Sequence, residues 1–235
     1  MDNQIDILAI GAHPDDVELS CGGTILKHLS QGDKVGIIDL TRGELGTRGS
    51  AEIRDKEAAN AAQILGVEFR HNMNFRDGFF QNDETHQIEL IKIIREYRPK
   101  IVLCNAISDR HPDHGKGSSL VSDACFLSGL TKVDTGQQAW RPQYVYHYIQ
   151  FHEITPDFVV DVSDFMDKKM ESVLAYESQF YNPNSIEPKT IISSQEFLDS
   201  IRFRASNLGR LSSCQFAEGF TVEKTIAVSS LNSLV

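Results

Sequence analysis

Hydrophobic residues in the first half of the chain fall into short runs that alternate with amphipathic stretches. The short runs are rich in isoleucine and valine and predict buried strands. The stretches between them carry apolar residues at helical spacing and predict helices. This alternation is typical of an α/β fold with a doubly wound, mostly parallel sheet. The expected strands are 5–10, 34–40, 67–69 and 100–105, and the expected helices are 24–31, 51–65 and 85–98.

The second half of the chain has a less regular pattern, and it suggests a smaller C-terminal α/β portion. No change of composition marks a boundary, so residues 1–235 are expected to form a single domain. A turn with exposed aromatic residues is expected at 75–80. The remaining expected helices are 115–130, 163–178 and 194–209, the expected strands are 143–150, 156–162 and 218–228, and loops are expected at 131–141 and 180–188.

Composition narrows the classes of function. The 235 residues carry 23 Lys and Arg against 33 Asp and Glu, a net charge of −10, which argues against non-specific binding of nucleic acid. No apolar run approaches the roughly 20 residues of a membrane span, and the N-terminus does not resemble a signal peptide. The four cysteines are widely spaced. We therefore expect reduced thiols and a cytoplasmic protein.

The first candidate site follows the first predicted strand and consists of Ala-His-Pro-Asp-Asp-Val-Glu (12–18). His13 and Asp16 are three residues apart, so on a first helical turn they would lie on one face and form a pair of metal ligands. Asp15 would point elsewhere and remain free to move protons. The alternative is simple helix capping, because Pro and Asp are common at helix N-termini.

A second cluster, Asp-Arg-His-Pro-Asp-His-Gly (109–115), follows another predicted strand and repeats the His-Pro-Asp sequence. The carboxyl ends of parallel strands meet at one edge of a sheet, so the two clusters can converge there. Convergence favours a metal-centred active site over capping. His13, Asp16 and His114 would then be three protein ligands that leave one position for water, as in catalytic zinc sites.

Such a centre has the parts needed to hydrolyse an amide. The metal would lower the pKa of its water, and Asp15 would take the water's proton. His111 would stabilise the oxyanion when protonated and later protonate the leaving amine, and Asp113 would orient its ring or keep it charged.

The loop 41–50 follows the second predicted strand and holds three glycines, together with Glu44 and Arg48. A loop at this edge of the sheet is well placed to contact substrate, although glycine loops also serve as plain connections. Arg54 lies in the first turn of the next helix. There it either pairs with a neighbouring glutamate or clamps an anionic or polyhydroxyl ligand.

The paired motifs at 12–18 and 110–115 resemble those of the PIG-L/LmbE-type zinc N-deacetylases, and the second motif is similar to that of the bacillithiol-biosynthesis deacetylases. The resemblance implies a Rossmann-like fold, Zn²⁺ (or Fe²⁺) as cofactor and a homohexamer. It also implies hydrolysis of N-acetyl-α-D-glucosaminyl L-malate. The rival substrates are diacetylchitobiose, N-acetylglucosamine and an antibiotic-precursor sugar, and a non-catalytic metal-binding paralogue is the other alternative.

Carried over by position, the resemblance assigns roles to particular residues. His13, Asp16 and His114 are the implied metal ligands, and Asp15 is the implied general base. The remaining implied roles are His111 as oxyanion and acid residue, Asp113 behind it, and Arg54 on the substrate. Some relatives have a tyrosine where this chain has Asp109, and Tyr144, Tyr146 and Tyr148 are the candidates to replace it.

Overall fold

The computed structural model describes residues 3–234, which form a seven-stranded sheet flanked by helices. The strands are β1 Ile7–Gly11, β2 Val35–Thr41, β3 Phe69–Phe75, β4 Ile101–Cys104, β5 Tyr144–Tyr148, β6 Phe158–Asp161 and β7 Ala217–Val222. The α-helices are α1 Asp16–Ser30, α2 Ala51–Leu65, α3 Glu84–Tyr97, α4 Pro112–Ser128, α5 Met166–Leu174 and α6 Gln195–Leu211. Short 3₁₀ turns lie at Ser163–Phe165, Ile191–Ser193 and Leu231–Leu234.

The strand order is β3-β2-β1-β4-β5-β7-β6. The first five of these strands pair in parallel, while β7 runs antiparallel to both β5 and β6. The predicted α/β class with a mostly parallel sheet is therefore confirmed. The order reverses between β1 and β4, and this is the point at which open α/β sheets form their ligand crevice.

Hydrophobic layers cover both faces of the sheet, so β1 and β2 are buried on both sides. Alternate residues such as Leu8 and Ile10 pack toward α3 and α4, and Ile7 and Ala9 pack toward α1. A third apolar cluster joins α2, α5 and α6. Between residues 3 and 234, no helix is both long and apolar enough to cross a membrane.

Several predicted boundaries were wrong near the polar clusters. Helix α1 begins at Asp16 instead of residue 24, because its first turn lies within the polar motif. Helix α4 begins at Pro112 instead of residue 115, since proline suits the first helical position. Strand β3 continues to Phe75, well past the expected residue 69, since its polar residues pair with β2 at the edge of the sheet. Helix α5 ends at Leu174 and β7 at Val222, both earlier than expected.

Helix α1 is broken at Cys21, whose φ of −136° is not helical. The break frees backbone N–H groups, and the carboxylate of Glu218 on β7 accepts hydrogen bonds from Gly23 at 3.0 Å and Thr24 at 2.7 Å. Lys169 Nζ pairs with the same carboxylate at 2.6 Å, and both side chains are 2% exposed. Glu218 on β7 therefore caps the second half of α1. This contact holds in place the helix that begins at Asp16.

Candidate active site

Strands β1 and β4 are parallel neighbours, with Ile7 opposite Ile101, so the segments that follow them lie side by side. The predicted convergence of the two clusters therefore occurs in the structure. Together with the loop after β2, the turn after β3 and segment 190–197, they line a cavity of about 570 Å³ at the carboxyl edge of the sheet.

His13 and Asp16 meet through a turn that precedes the helix, not through a helical face as expected. The His13 N–H donates to Asp16 Oδ2 at 3.0 Å, and His13 Nδ1 lies 3.6 Å from the same oxygen. Asp15, between them, has a φ of 115° and makes no capping hydrogen bond with its side chain. The strained backbone at Asp15 must be held by its surroundings, and without a side-chain capping hydrogen bond the capping explanation loses its support.

His114 approaches Asp16 from the second cluster. Its Nε2 lies 3.1 Å from Asp16 Oδ1, and its Nδ1 lies 2.5 Å from Asp109 Oδ2. Asp16 therefore sits between the imidazoles of His13 and His114. The structure brings together the three residues proposed as metal ligands, from loops about 100 residues apart in the sequence.

In both His13 and His114, the ring nitrogen that points away from Asp16 faces another carboxylate. His13 Nε2 lies 3.0 Å from Asp77 Oδ1 and 3.4 Å from Asp113 Oδ2, while His114 uses Asp109. Metal-binding histidines usually have such an outer carboxylate, which fixes the tautomer and the ring orientation. Two imidazoles and one carboxylate also suit zinc or iron by ligand type. The donor set therefore fits a divalent metal.

Among residues 3–234, two groups of three donor atoms lie within 4.8 Å of one another, namely His13 with His111 and His114, and His13 with Asp77 and Asp113. The set His13, Asp16 and His114 is held together instead by the contacts of Asp16 with each imidazole. His111 differs from the other two histidines because its Nδ1 accepts a hydrogen bond from the backbone N–H of Asp113 at 3.3 Å. Its Nε2 then carries the proton when the ring is neutral. His111 is better suited to donate a hydrogen bond into the site than to bind a metal.

Asp113 does not orient His111 with its carboxylate, which corrects the sequence-based expectation. Its Oδ2 accepts from the Gly78 N–H at 2.8 Å and faces His13, while Oδ1 lies 2.6 Å from Lys116 Nζ. The reason is local: His111 is the N-cap of α4, and Asp113 points from the first helical turn toward the β1 loop.

The carboxylate of Asp16 is fixed by two side-chain amides. Asn105 Nδ2 donates to Oδ2 at 3.0 Å, and Gln150 Nε2 donates to Oδ1 at 2.9 Å. Gln150 Oε1 in turn accepts from Asn105 Nδ2 and from the Ala106 N–H, both at 3.1 Å. Both amides follow parallel strands directly, so Asp16 is held by groups anchored to the sheet.

Asp15 faces Arg54, whose Nη2 donates to Asp15 Oδ2 at 2.8 Å. Burial raises the pKa of Asp15 to about 7; the Arg54 cation lowers it in part, and the neighbouring Asp16 raises it again. A carboxyl group with a pKa near neutrality is suited to accept and return a proton. Arg54 is itself buried and lines the cavity, so its contact with substrate stays a prediction.

The histidines differ in charge preference. Burial, together with the nearby His13 and His114, lowers the pKa of His111 to about 4. Burial alone would lower the pKa of His114 too, but Asp16 and Asp109 raise it to about 9. These directions favour a neutral His111 near pH 7. The role of a protonated His111 stays a prediction.

All three substrate-binding candidates have protein partners, and that of Arg54 is Asp15. Arg48 donates to Ser178 O at 2.7 Å, Pro188 O at 2.9 Å and Ser185 Oγ at 3.0 Å, so it anchors the segment that forms one cavity wall. Glu44 Oε1 accepts from the Asp77 N–H at 2.8 Å, and Glu44 is not a lining residue of the cavity. Contact of either residue with substrate stays a prediction.

Four residues hold the proposed ligands in place, and this role was not predicted from the sequence. They share one signal, because each is a polar residue just after a parallel strand or in the loop that follows it. None of the three tyrosines proposed to replace the family's tyrosine lines the cavity, and Tyr148 instead donates to Ile10 O at 2.9 Å. The four missed residues are Asp77, Asn105, Asp109 and Gln150.

Comparison with known proteins agrees with this geometry. The chain is 30% identical to diacetylchitobiose deacetylase of Thermococcus kodakarensis over 91% of its own length and 81% of the relative's. It is 29% identical to a probable N-acetyl-α-D-glucosaminyl L-malate deacetylase 2 of Bacillus anthracis, over 77% and 84% of the two chains. The crystal structure of the conserved protein TT1542 from Thermus thermophilus superposes with a TM-score of 0.88 at 33% identity, covering 97% and 99%.

Residues 8–125 also match the PIG-L family, which is described as GlcNAc-PI de-N-acetylase. This segment contains both clusters, the glycine loop and Arg54. With the 30% identity to a deacetylase over most of both chains, it establishes that this chain is a member of the PIG-L family of de-N-acetylases.

Proposed function

We propose that the chain hydrolyses the acetamide of an N-acetylglucosamine conjugate, with His13, Asp16 and His114 holding a zinc ion. The single observation that carries this proposal is the position of Asp15, a carboxyl group with a pKa of about 7, next to that donor set inside one cavity. Membership in a family of de-N-acetylases supports the reaction class.

A metal held by these residues would supply a water of lowered pKa and would polarise the acetyl carbonyl. Asp15 accepts the proton of the attacking water and delivers it to the nitrogen of the leaving amine. His111 donates its Nε2–H to the carbonyl oxygen as negative charge develops there. Arg54 lines the cavity and keeps the Asp15 carboxylate in place. The donor set accepts zinc or iron.

The substrate we favour has an anionic aglycone, as in N-acetylglucosaminyl malate. Arg110 at the cavity rim is exposed, and its guanidinium lies 5.1 Å from the ring centroid of Phe151. Within residues 3–234 its side chain has no hydrogen bond, whereas the other arginines that line the cavity have protein partners. An arginine held on an aromatic ring with free donors is suited to a carboxylate.

Diacetylchitobiose is the second candidate, supported by the relative from Thermococcus kodakarensis. The volume of about 570 Å³ lies within the usual range for small-molecule sites and does not separate the two substrates. Free N-acetylglucosamine and antibiotic-precursor sugars complete the set to be compared.

The test is acetate release from these four substrates by zinc-loaded wild-type protein and by an Arg110→Ala variant. We expect the highest kcat/KM with the malate conjugate, and we expect Arg110→Ala to reduce it about tenfold while leaving N-acetylglucosamine turnover unchanged. Arg141→Ala is the matched control, because Arg141 also lies over a phenylalanine ring, that of Phe126, but outside the cavity.

Each outcome of this test bears on a different part of the proposal. A preference for diacetylchitobiose that Arg110→Ala does not alter would replace the anionic aglycone and keep the chemistry. Bound zinc with no acetate from any substrate would identify a non-catalytic paralogue. The homohexamer remains a prediction, which light scattering of the purified protein would check.

A further inference from the structure

Asp109 lies between the metal donor set and the rim of the cavity. Its side chain is 1% exposed, and its Oδ2 lies 2.5 Å from His114 Nδ1. Its Oδ1 accepts hydrogen bonds from the backbone N–H groups of Phe151 at 3.1 Å and His152 at 2.7 Å. One buried carboxylate therefore contacts both a proposed metal ligand and the loop that carries the aromatic rim.

The contact with His114 determines which ring nitrogen is available to a metal. A carboxylate only accepts hydrogen bonds, so His114 Nδ1 must carry a proton. The other nitrogen, Nε2, faces Asp16 at 3.1 Å, so a metal bound by Asp16 would take the place of the proton on Nε2 while Asp109 keeps the proton on Nδ1. Asp109 thereby selects the tautomer that can bind a metal beside Asp16.

The contact with the rim fixes the backbone beneath the proposed aglycone site. The Phe151 ring supports the Arg110 guanidinium, and it stacks on Phe197 with the ring centroids 6.5 Å apart. Arg110, Phe151 and Phe197 all line the cavity. A change at Asp109 therefore reaches both the metal donors and the surface that would receive the aglycone.

We propose that Asp109 is a positioning residue that holds His114 in its metal-binding tautomer and, through its other oxygen, fixes the Phe151 rim. The inference rests on the proposed function, since it takes His114 as a metal ligand. It assigns a role to the position where some relatives carry a tyrosine.

Asp109→Asn is the discriminating substitution. An asparagine amide has only one acceptor oxygen, so it cannot accept hydrogen bonds both from His114 and from the backbone N–H groups of Phe151 and His152. With its oxygen toward Phe151 and His152, its NH₂ group faces His114 Nδ1 and drives the ring proton to Nε2, which blocks the metal. With the amide reversed, its NH₂ group faces two backbone N–H donors and the rim loses its anchor. Asp157→Asn is the matched control, because Asp157 accepts from the Val222 N–H at 2.8 Å and an asparagine oxygen can do the same.

The first measurement is the zinc dissociation constant of the wild type and both variants, taken by competition with a chromophoric chelator. We expect Asp109→Asn to weaken zinc binding roughly 10- to 100-fold, and Asp157→Asn to leave it unchanged. Wild-type zinc affinity in a folded Asp109→Asn protein would overturn the proposal.

The second measurement is kinetic and addresses the rim. At saturating zinc, Asp109→Asn should raise KM for the malate conjugate by a larger factor than KM for N-acetylglucosamine. Equal factors for the two substrates would contradict the role at the rim.

The third measurement needs no variant and therefore does not depend on a variant folding. Long-range ¹H–¹⁵N spectra of zinc-loaded wild-type protein should show the His114 proton on Nδ1 and zinc on Nε2. A proton on Nε2 would overturn the proposal even if zinc binds elsewhere in the site. Wild-type protein that binds no zinc would instead defeat the proposed function, and this inference with it.

Discussion

Arg54 Nη2 donates a hydrogen bond to Asp15 Oδ2 across 2.8 Å, between residues that are 39 positions apart in the chain. Both side chains are more than nine-tenths buried. The pair links the first turn of α2 to the residue at positive φ before α1, so the proposed general base is held by an element outside its own motif.

Arg54→Leu should lower kcat/KM about 10²-fold, because Asp15 loses its orienting partner. Zinc content should stay at the wild-type level, since Arg54 contacts none of the three proposed ligands directly. Steady-state kinetics with metal analysis measure both effects. Arg42→Leu is the control from the adjoining loop, since Arg42 pairs with Asp55 on the outer surface, and loss of activity there would show that the effect is not specific to Asp15.

His111→Ala should retain zinc and lower kcat about 10²- to 10³-fold, because it removes a hydrogen-bond donor to the developing oxyanion. Asp16→Ala and His114→Ala should lose zinc. Metal analysis of the three purified variants shows whether Asp16 or His111 completes the ligand set with His13 and His114. Zinc lost from His111→Ala but kept by Asp16→Ala would establish the set of three imidazoles instead.

Glu218→Gln should reduce the free energy of unfolding by about 3 kcal/mol, because it leaves Lys169 buried without its counter-charge. It also weakens the cap on Gly23 and Thr24 within α1. Urea denaturation measures the change. Glu171→Gln, an exposed glutamate on α5, is the control and should be neutral; equal stabilities of the two variants would contradict the capping role.

His147 should make stability fall as pH rises above neutrality. Burial on its own would lower its pKa, but Cys104, Glu223 and the Asn105 carbonyl raise it to about 11, above the ordinary 6.5. The folded state therefore holds a proton that the unfolded state releases near pH 6.5. The contribution is complete below that pH and is lost as the pH rises toward 11.

Urea denaturation between pH 7 and pH 9 measures this effect. Wild-type protein should lose up to about 1.4 kcal/mol of unfolding free energy per pH unit more than His147→Gln. His71→Gln, at an exposed histidine on β3, should follow the wild type. Parallel pH curves for wild type and His147→Gln would show that His147 is not protonated in the fold.

The sequence predicted the elements whose pattern is set by burial, such as β1, β2, α2 and α3. It failed where polar residues form the element. Strand β3 has a polar sequence because it lies at the edge of the sheet, and α1 hides its first turn within a motif of charged residues. The kink at Cys21 is capped by Glu218, nearly 200 residues away, so no local pattern could reveal this partner.

The sequence predicted those residues of the candidate site that belong to the two motifs. His13, Asp15, Asp16 and His114 are adjacent to strands whose parallel order brings them together. The partners of these residues were not predicted. Asp77 reaches His13 only because β3 ends beside the loop after β2, and the pairing of Asp113 with His13 depends on the direction in which α4 starts.

We propose that Asp15 moves the proton in a hydrolysis at the His13, Asp16 and His114 centre. The most direct measurement is acetate release by Asp15→Asn and wild-type protein, with zinc determined on the same samples. We predict about one zinc per chain in both proteins and a loss of acetate release of about 10³-fold in the variant. Wild-type acetate release by fully zinc-loaded Asp15→Asn would contradict the claim.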